Sequence, residues 1–135
     1  MGRIVSTVGS FSDRVVRRVV SIIADRKGKG IVVIDISKFK HITDFFVLCT
    51  AESSNHRKAI VEKIQEEFKK EKIPILNVDF NPDSPWSLID CGDVVVHIFE
   101  EDSRRFYDIE GLWADAEQIK VDVDNMDNVE RLRKT

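Results

Sequence analysis

The segment 86–99, WSLIDCGDVVVHIF, restricts the fold more than any other part of the chain, because its two faces ask for different surroundings. The pattern predicts a hairpin with Cys91 and Gly92 at the tip, Gly92 supplying the positive φ that a tight primed turn requires. In that register Asp90 pairs with Asp93, Leu88 with Val95 and Trp86 with His97. Strand alternation sends Ser87, Ile89, Val94, Val96 and Ile98 to one side, which is almost wholly aliphatic. The other side carries Trp86, Leu88, Asp90, Asp93, Val95, His97 and Phe99. Aromatic anchors among a few polar groups are the makings of a protein recognition surface. The same pattern also suits a face covered by a helix or by a sister subunit.

Length and charge set the frame around this hairpin. A chain of 135 residues buries roughly two-thirds of its unfolded surface, so one domain needs neither disulfides nor metals for stability. Its hydrophobic fraction of 42% and charged fraction of 33% are those of an ordinary globular protein. A net charge of −3 gives no whole-molecule attraction to nucleic acid or to an anionic membrane. The two cysteines, Cys49 and Cys91, lie in or beside apolar strand-like runs, which reads as two buried thiols in a reducing compartment. No apolar run reaches membrane-spanning length and the first residues lack a signal-peptide core, so a cytoplasmic protein is expected.

Hydrophobic periodicity orders the rest. Ser12 can cap a helix whose apolar stripe is Val15, Val16, Val19, Val20, Ile22 and Ile23, with Arg14, Arg17, Arg18 and Asp25 on its other side. Gly28 and Gly30 end it. The runs 31–36 and 44–50 are continuous and apolar, as in central strands covered on both faces. A second helix starts at Ser53 or Ser54, buries Ala59, Ile60, Ile64 and Phe68, and is stopped by Pro74. Residues 75–78 form a short strand, and Asn81, Pro82, Asp83, Ser84 and Pro85 a loop into the hairpin. Asp102 or Ser103 begins a last short helix running through Tyr107, Ile109, Leu112 and Trp113. Tyr107 and Trp113, six apart, fall on different sides of it, one to the core and one to an interface. Residues 1–10 read as a flexible N-terminus, 11–116 as the domain, and 117–135 as a charged C-terminal tail. The order α-β-β-α-β-β-β-α predicts an α/β fold, a five-stranded mixed sheet with helices mainly on one face.

No catalytic set assembles from these residues. Asp35, in an apolar strand, must lie at a strand end or have a partner. Magnesium-assisted phosphoryl transfer there would need a second carboxylate, but two positions on stands Ser37, and KGKG is not a phosphate loop. His41, His56 and His97 are scattered without zinc-site spacing, so no metal or cofactor is expected. Ser53 and Ser54 suit a helix cap better than a nucleophile. His56, Arg57 and Lys58 in the first helical turn could add to an anion site, or simply be a solvated helix end.

Three segments carry a resemblance: ITDFFVLCTAESSNHRKAI (42–60), WSLIDCGDVVVHIF (86–99) and FYDIEGLWADA (106–116) closely resemble the Iojap family, the ribosomal silencing factors RsfS. The likeness runs in unbroken order over about residues 12–116. It implies a fold related to nucleotidyltransferases but without their catalytic machinery, in keeping with the missing carboxylate after Asp35. It implies a non-enzymatic factor that binds the large ribosomal subunit at its fourteenth protein, blocks joining of the small subunit by occupying that surface, and represses translation when nutrients are short. A negative chain suits a basic ribosomal partner. The matching motif residues are Asp44, Thr50, Ser53, Ser54, His56, Trp86, Asp90, Gly92, Asp93, His97, Phe99, Tyr107, Asp108, Leu112 and Trp113. Asn55 stands where the family often has Arg, Cys91 where it often has an aromatic, and the loop before Trp86 lacks the usual glycine. Resemblance and face pattern together nominate Trp86, Leu88, Asp90, Asp93, His97, Phe99, Tyr107, Asp108 and Trp113 as partner-binding residues. Two other classes fit the chain: a residual nucleotide-binding or nucleotidyl-transferring enzyme, and a scaffold whose sheet face serves homodimerisation of the free protein. Neither a membrane nor sequence-specific nucleic acid is an expected partner.

Overall fold

A computed structural model describes residues 11–39 and 43–122. Helix α1 (Phe11–Asp25) buries the expected stripe of Val15, Val16, Val19, Val20, Ile22 and Ile23. Arg17, expected on the polar side, is buried, as is Asp13 one turn earlier, so the helix is covered beyond its apolar stripe. The chain reverses at Lys27, whose φ is 65°, and the N–H of Gly28 donates to Ile23 O at 2.9 Å. Strand β1 (Lys29–Asp35) follows, then a 3-10 turn (Ser37–Phe39) and strand β2 (Phe45–Ala51). His41 lies outside the described residues.

Helix α2 (Ser54–Glu71) begins behind Ser53, whose Oγ accepts from the N–H of His56. Its buried positions are Arg57, Ile60, Val61, Ile64 and Phe68. Ala59, expected in the stripe, is exposed, because a face centred on Ile60, Ile64 and Phe68 takes Arg57 and Val61 as its flanks. Strands β3 (Asn77–Asp79), β4 (Trp86–Asp90) and β5 (Val94–Glu100) come next. The expected last helix is two: α3 (Glu101–Tyr107) and α4 (Ile109–Leu112), broken at Asp108, which takes φ 45°.

Strand β6 (Glu117–Lys120) closes the described part. It arises from residues expected to belong to the tail, and raises the strand number from the expected five to six. It pairs antiparallel with β1, Val33 opposite Ile119, and Ile119 packs on the core. An edge strand needs one neighbour and one apolar anchor, which a charged four-residue run supplies without showing strand periodicity.

The sheet order is β3-β4-β5-β2-β1-β6, with β2 and β5 parallel and the other neighbours antiparallel. One face carries Ile31 and Val33 from β1, Val47 and Cys49 from β2, Ile89 from β4, and Val94, Val96 and Ile98 from β5, packed with α1 and α2 into the main core. The opposite face carries a smaller cluster of Val32, Ile34, Leu48 and Phe99, joined by Ile36 and Ala116 and edged by Phe39, Phe46, Trp86, Ile109 and Trp113. This α/β architecture, with the long helices on one face, is the one the element order predicts.

The hairpin register differs from the expected one. Trp86 pairs with Phe99, Leu88 with His97 and Asp90 with Val95, while the N–H of Cys91 donates to Val94 O at 2.8 Å. The tip is therefore Gly92-Asp93. Gly92, at φ 86°, takes the first central position, where turns of the II′ type place glycine. Asp90 Oδ1 accepts from the N–H of Gly92 at 2.8 Å and supports that turn. Side-chain parity along each strand is unchanged by the shift, so the two expected faces hold.

Candidate partner-binding surface

The second sheet face is built from aromatic rings in contact. Trp86 stacks on Phe99 with centroids 4.9 Å apart, leans on Tyr107 at 4.7 Å, and donates from Nε1 to His97 Nδ1 at 3.2 Å. His97 meets Phe46 edge-on at 4.7 Å, and Phe46 meets Trp113 at 5.8 Å. Phe39 closes the row against Trp113 at 5.6 Å. Edge and offset contacts of this kind add about 0.5–1.5 kcal/mol each beyond area burial.

The nominated residues thus divide by depth and by place. Phe99 is fully buried and His97 nearly so, which makes them the floor of the surface, not its contact layer. Trp113 is half-buried and belongs to the smaller core, while Tyr107 is 48% exposed; of the pair, Trp113 is the core residue. Trp86 and Leu88 are half-buried beside them. Asp90 and Asp93 sit at the hairpin tip, about 13 Å along the strand from Trp86 at the usual rise per residue, and are not brought into this cluster. Asp108 is exposed at the break between α3 and α4, where its carboxylate accepts from the N–H of Gly111 at 3.1 Å.

Two exposed residues escaped the nomination. Phe106 is 80% and Leu112 74% exposed, so three of the four large exposed apolar side chains among the described residues lie on α3 and α4. The signal was the Phe106-Tyr107 pair itself: adjacent residues of a helix point about 100° apart, so a short helix on a sheet cannot bury both. Beside them opens a groove of ≈ 660 Å³ lined by Glu52, Glu100, Glu101 and Asp102 as well as Phe106 and Tyr107. Arg57 pairs with Glu100, and Arg105 with Glu101 and Asp102, leaving the groove acidic on balance.

The side chains weighed for chemistry have structural work. Asp35 ends β1, and its Oδ1 accepts from the N–H and the hydroxyl of Ser37 at 3.0 and 2.7 Å. His56 Nδ1 accepts from the N–H of Glu52 at 2.9 Å and its Nε2 donates to Arg26 O at 2.7 Å. Arg57 is fully buried, donating to Glu100 and Ser87 at 2.9 and 2.7 Å and to the carbonyls of Asn81 and Pro82. The anion-site reading of that helix start therefore loses Arg57, whose donors are taken by the 81–82 loop and by β4 and β5. Burial pushes the Cys49 thiol up to about 12, and burial with the neighbouring Asp90 carboxylate does the same for Cys91; both are free cysteines, Cys49 buried as expected and Cys91 only half-buried at the hairpin tip. No group of His, Cys, Asp and Glu among the described residues could hold a metal ion, and no described helix is long and apolar enough to cross a membrane.

An open mixed sheet with one face given to a large core and the other to an aromatic platform under two short helices defines an α/β protein. Residues 10–135 match the family described as ribosomal silencing factor during starvation, RsfS, and the chain belongs to that family. The silencing factor RsfS of Halalkalibacterium halodurans is 32% identical over 76% of this chain and 88% of its own length; that of Bacillus subtilis is 31% identical over 73% and 83%. The chloroplastic Iojap protein of Arabidopsis thaliana is 34% identical over 73% of this chain, which spans 41% of that longer protein. A mouse relative, 27% identical over 70% of this chain, carries the name mitochondrial assembly of ribosomal large subunit protein 1. The fold agrees with a Chromobacterium violaceum crystal structure at TM-score 0.73 and 30% identity, covering 78% of this chain and 88% of that one.

Proposed function

We propose that this protein binds the large ribosomal subunit through its fourteenth protein and, by occupying that surface, prevents the small subunit from joining, so repressing translation under nutrient limitation. The observation that carries the reading is the exposed Phe106-Tyr107 pair at the mouth of an acidic groove. Such a surface takes an apolar anchor from a basic protein and repels bare phosphate backbones. Membership in the silencing family and the name of the mouse relative support a ribosomal partner on the large subunit. Competition for a surface needs no covalent chemistry, and it works in the cytoplasm wherever affinity and concentration suffice.

Co-sedimentation with isolated subunits tests it. The protein should travel with large subunits and not with small ones, and should lower the yield of joined ribosomes when added before mixing. Phe106→Ala should weaken large-subunit binding about tenfold or more, as central aromatic anchors do, with an unchanged melting temperature because that ring is 80% exposed. Equal binding to both subunits, or unhindered joining at saturating protein, would sink the reading.

A further inference from the structure

Neither α3, with seven residues, nor α4, with four, is long enough to hold its own direction. Between them the backbone passes through the left-handed region at Asp108, so helical hydrogen bonding does not carry their relative angle. Something else must set where Phe106 on α3 and Leu112 on α4 stand. Arg104 reaches across this break. Its Nη2 and Nε donate to the two carboxylate oxygens of Glu110 on α4, at 2.9 and 3.4 Å, and its Nη1 donates to Thr50 Oγ1 on β2 at 2.9 Å. The guanidinium lies against β1 at Gly30, where an added Cβ would stand 2.9 Å from Nη1 and where φ is 57°. Gln118 on β6 also holds α4, its Nε2 donating to Glu110 O at 2.8 Å and Trp113 O at 3.0 Å. The side chain of Arg104 is 13% exposed and that of Glu110 30%. A two-pronged pair so little exposed, tied to a third element, holds geometry that an open surface ion pair would not.

We propose that Arg104 is a positioning residue for partner recognition: braced by Glu110 and Thr50, it fixes the angle between α3 and α4 and with it the placement of Phe106 and Leu112. The inference rests on the ribosome-binding reading above. It makes Arg104 and Glu110 one unit that acts through the apolar side chains and does not touch the partner.

The test compares Arg104→Met, Glu110→Gln and the double variant with the wild-type chain. Thermal midpoint, near-ultraviolet circular dichroism and affinity for purified large subunits per folded molecule are measured on all of them. The two substitutions change net charge in opposite directions, so a general electrostatic effect on binding moves affinity in opposite directions. Positioning moves it the same way: each single variant should bind about fivefold more weakly, and the double variant no more weakly than the worse single, since the pair is lost once. The aromatic circular dichroism should shift in step. Unchanged affinity per folded molecule, opposite shifts, or losses that multiply would each overturn the proposal. Glu110→Gln, with its partly exposed carboxylate, keeps the comparison decisive if Arg104→Met folds poorly. Failure of the wild-type chain itself to bind large subunits would overturn the functional reading and this inference with it, and the wild-type arm alone reveals that case.

Discussion

The indole Nε1–H of Trp86 donates to Nδ1 of His97 at 3.2 Å, along a diagonal of the β4–β5 ladder, where Trp86 faces Phe99 and His97 faces Leu88. The bond makes Nδ1 the acceptor and leaves the proton of the neutral ring on Nε2. Protonation of His97 would set two N–H groups against each other beneath the aromatic surface.

Acid should therefore destabilise the fold through His97. Burial lowers its pKa from 6.5 to about 4. The folded state thus binds the proton later than the unfolded one, and stability falls as pH drops from 6.5 towards 4. Urea unfolding at pH 7 and pH 4.5 should show the wild-type chain losing roughly 2–3 kcal/mol more than His97→Gln, which cannot titrate but can still accept from the indole. Equal losses in the two proteins would mean that the imidazole is not held neutral.

Trp86 is a packing residue as much as a surface one, because Phe99, His97 and Tyr107 all lean on it. Trp86→Ala should cost about 3 kcal/mol in denaturant unfolding, as large-to-small changes in packed sites do. Trp86→Phe should cost only about 1 kcal/mol, keeping the stack and losing the donor to His97. Tyr107→Ala should cost less than Trp86→Ala, since half of Tyr107 already faces solvent. A Trp86→Ala midpoint close to that of the wild type would show that the stack adds little to stability.

Removing the guanidinium of Arg57 leaves Ser87 Oγ and the carbonyls of Asn81 and Pro82 without their donor, and Glu100 without its cation. Arg57→Met should cost about 3 kcal/mol in a urea titration, near the lower end for breaking a buried pair because the Glu100 side chain is 35% exposed. Glu100→Gln should cost about 1 kcal/mol, since the amide oxygen can still accept. A reversed order would locate the stabilising interactions in the carboxylate instead.

Much of this architecture is local and therefore legible. The stripe of Val15, Val19, Ile22 and Ile23 defines α1, and the runs in β1 and β2 declare strands covered on both faces. Even with the hairpin register wrong, the assignment of Trp86, His97 and Phe99 to one face survived. Alternation along a strand does not depend on which residue stands opposite. The surface was less legible: exposure of Phe106 and Leu112 and burial of His97 and Phe99 depend on where two short helices come to rest.

The sequence by itself determined the element order, the division of the sheet into an aliphatic and an aromatic face, and, through three motifs in order, the family. These are properties of neighbours in the chain, set by periodicity and residue type. Tertiary structure alone decided the Gly92-Asp93 turn, the sixth strand, the break at Asp108 and the burial of Arg57. The sixth strand and the burial of Arg57 depend on partners distant in the chain. Glu117–Lys120 becomes a strand because β1 offers it a free edge, and Arg57 goes inside because the 81–82 loop, Ser87 and Glu100 converge on it.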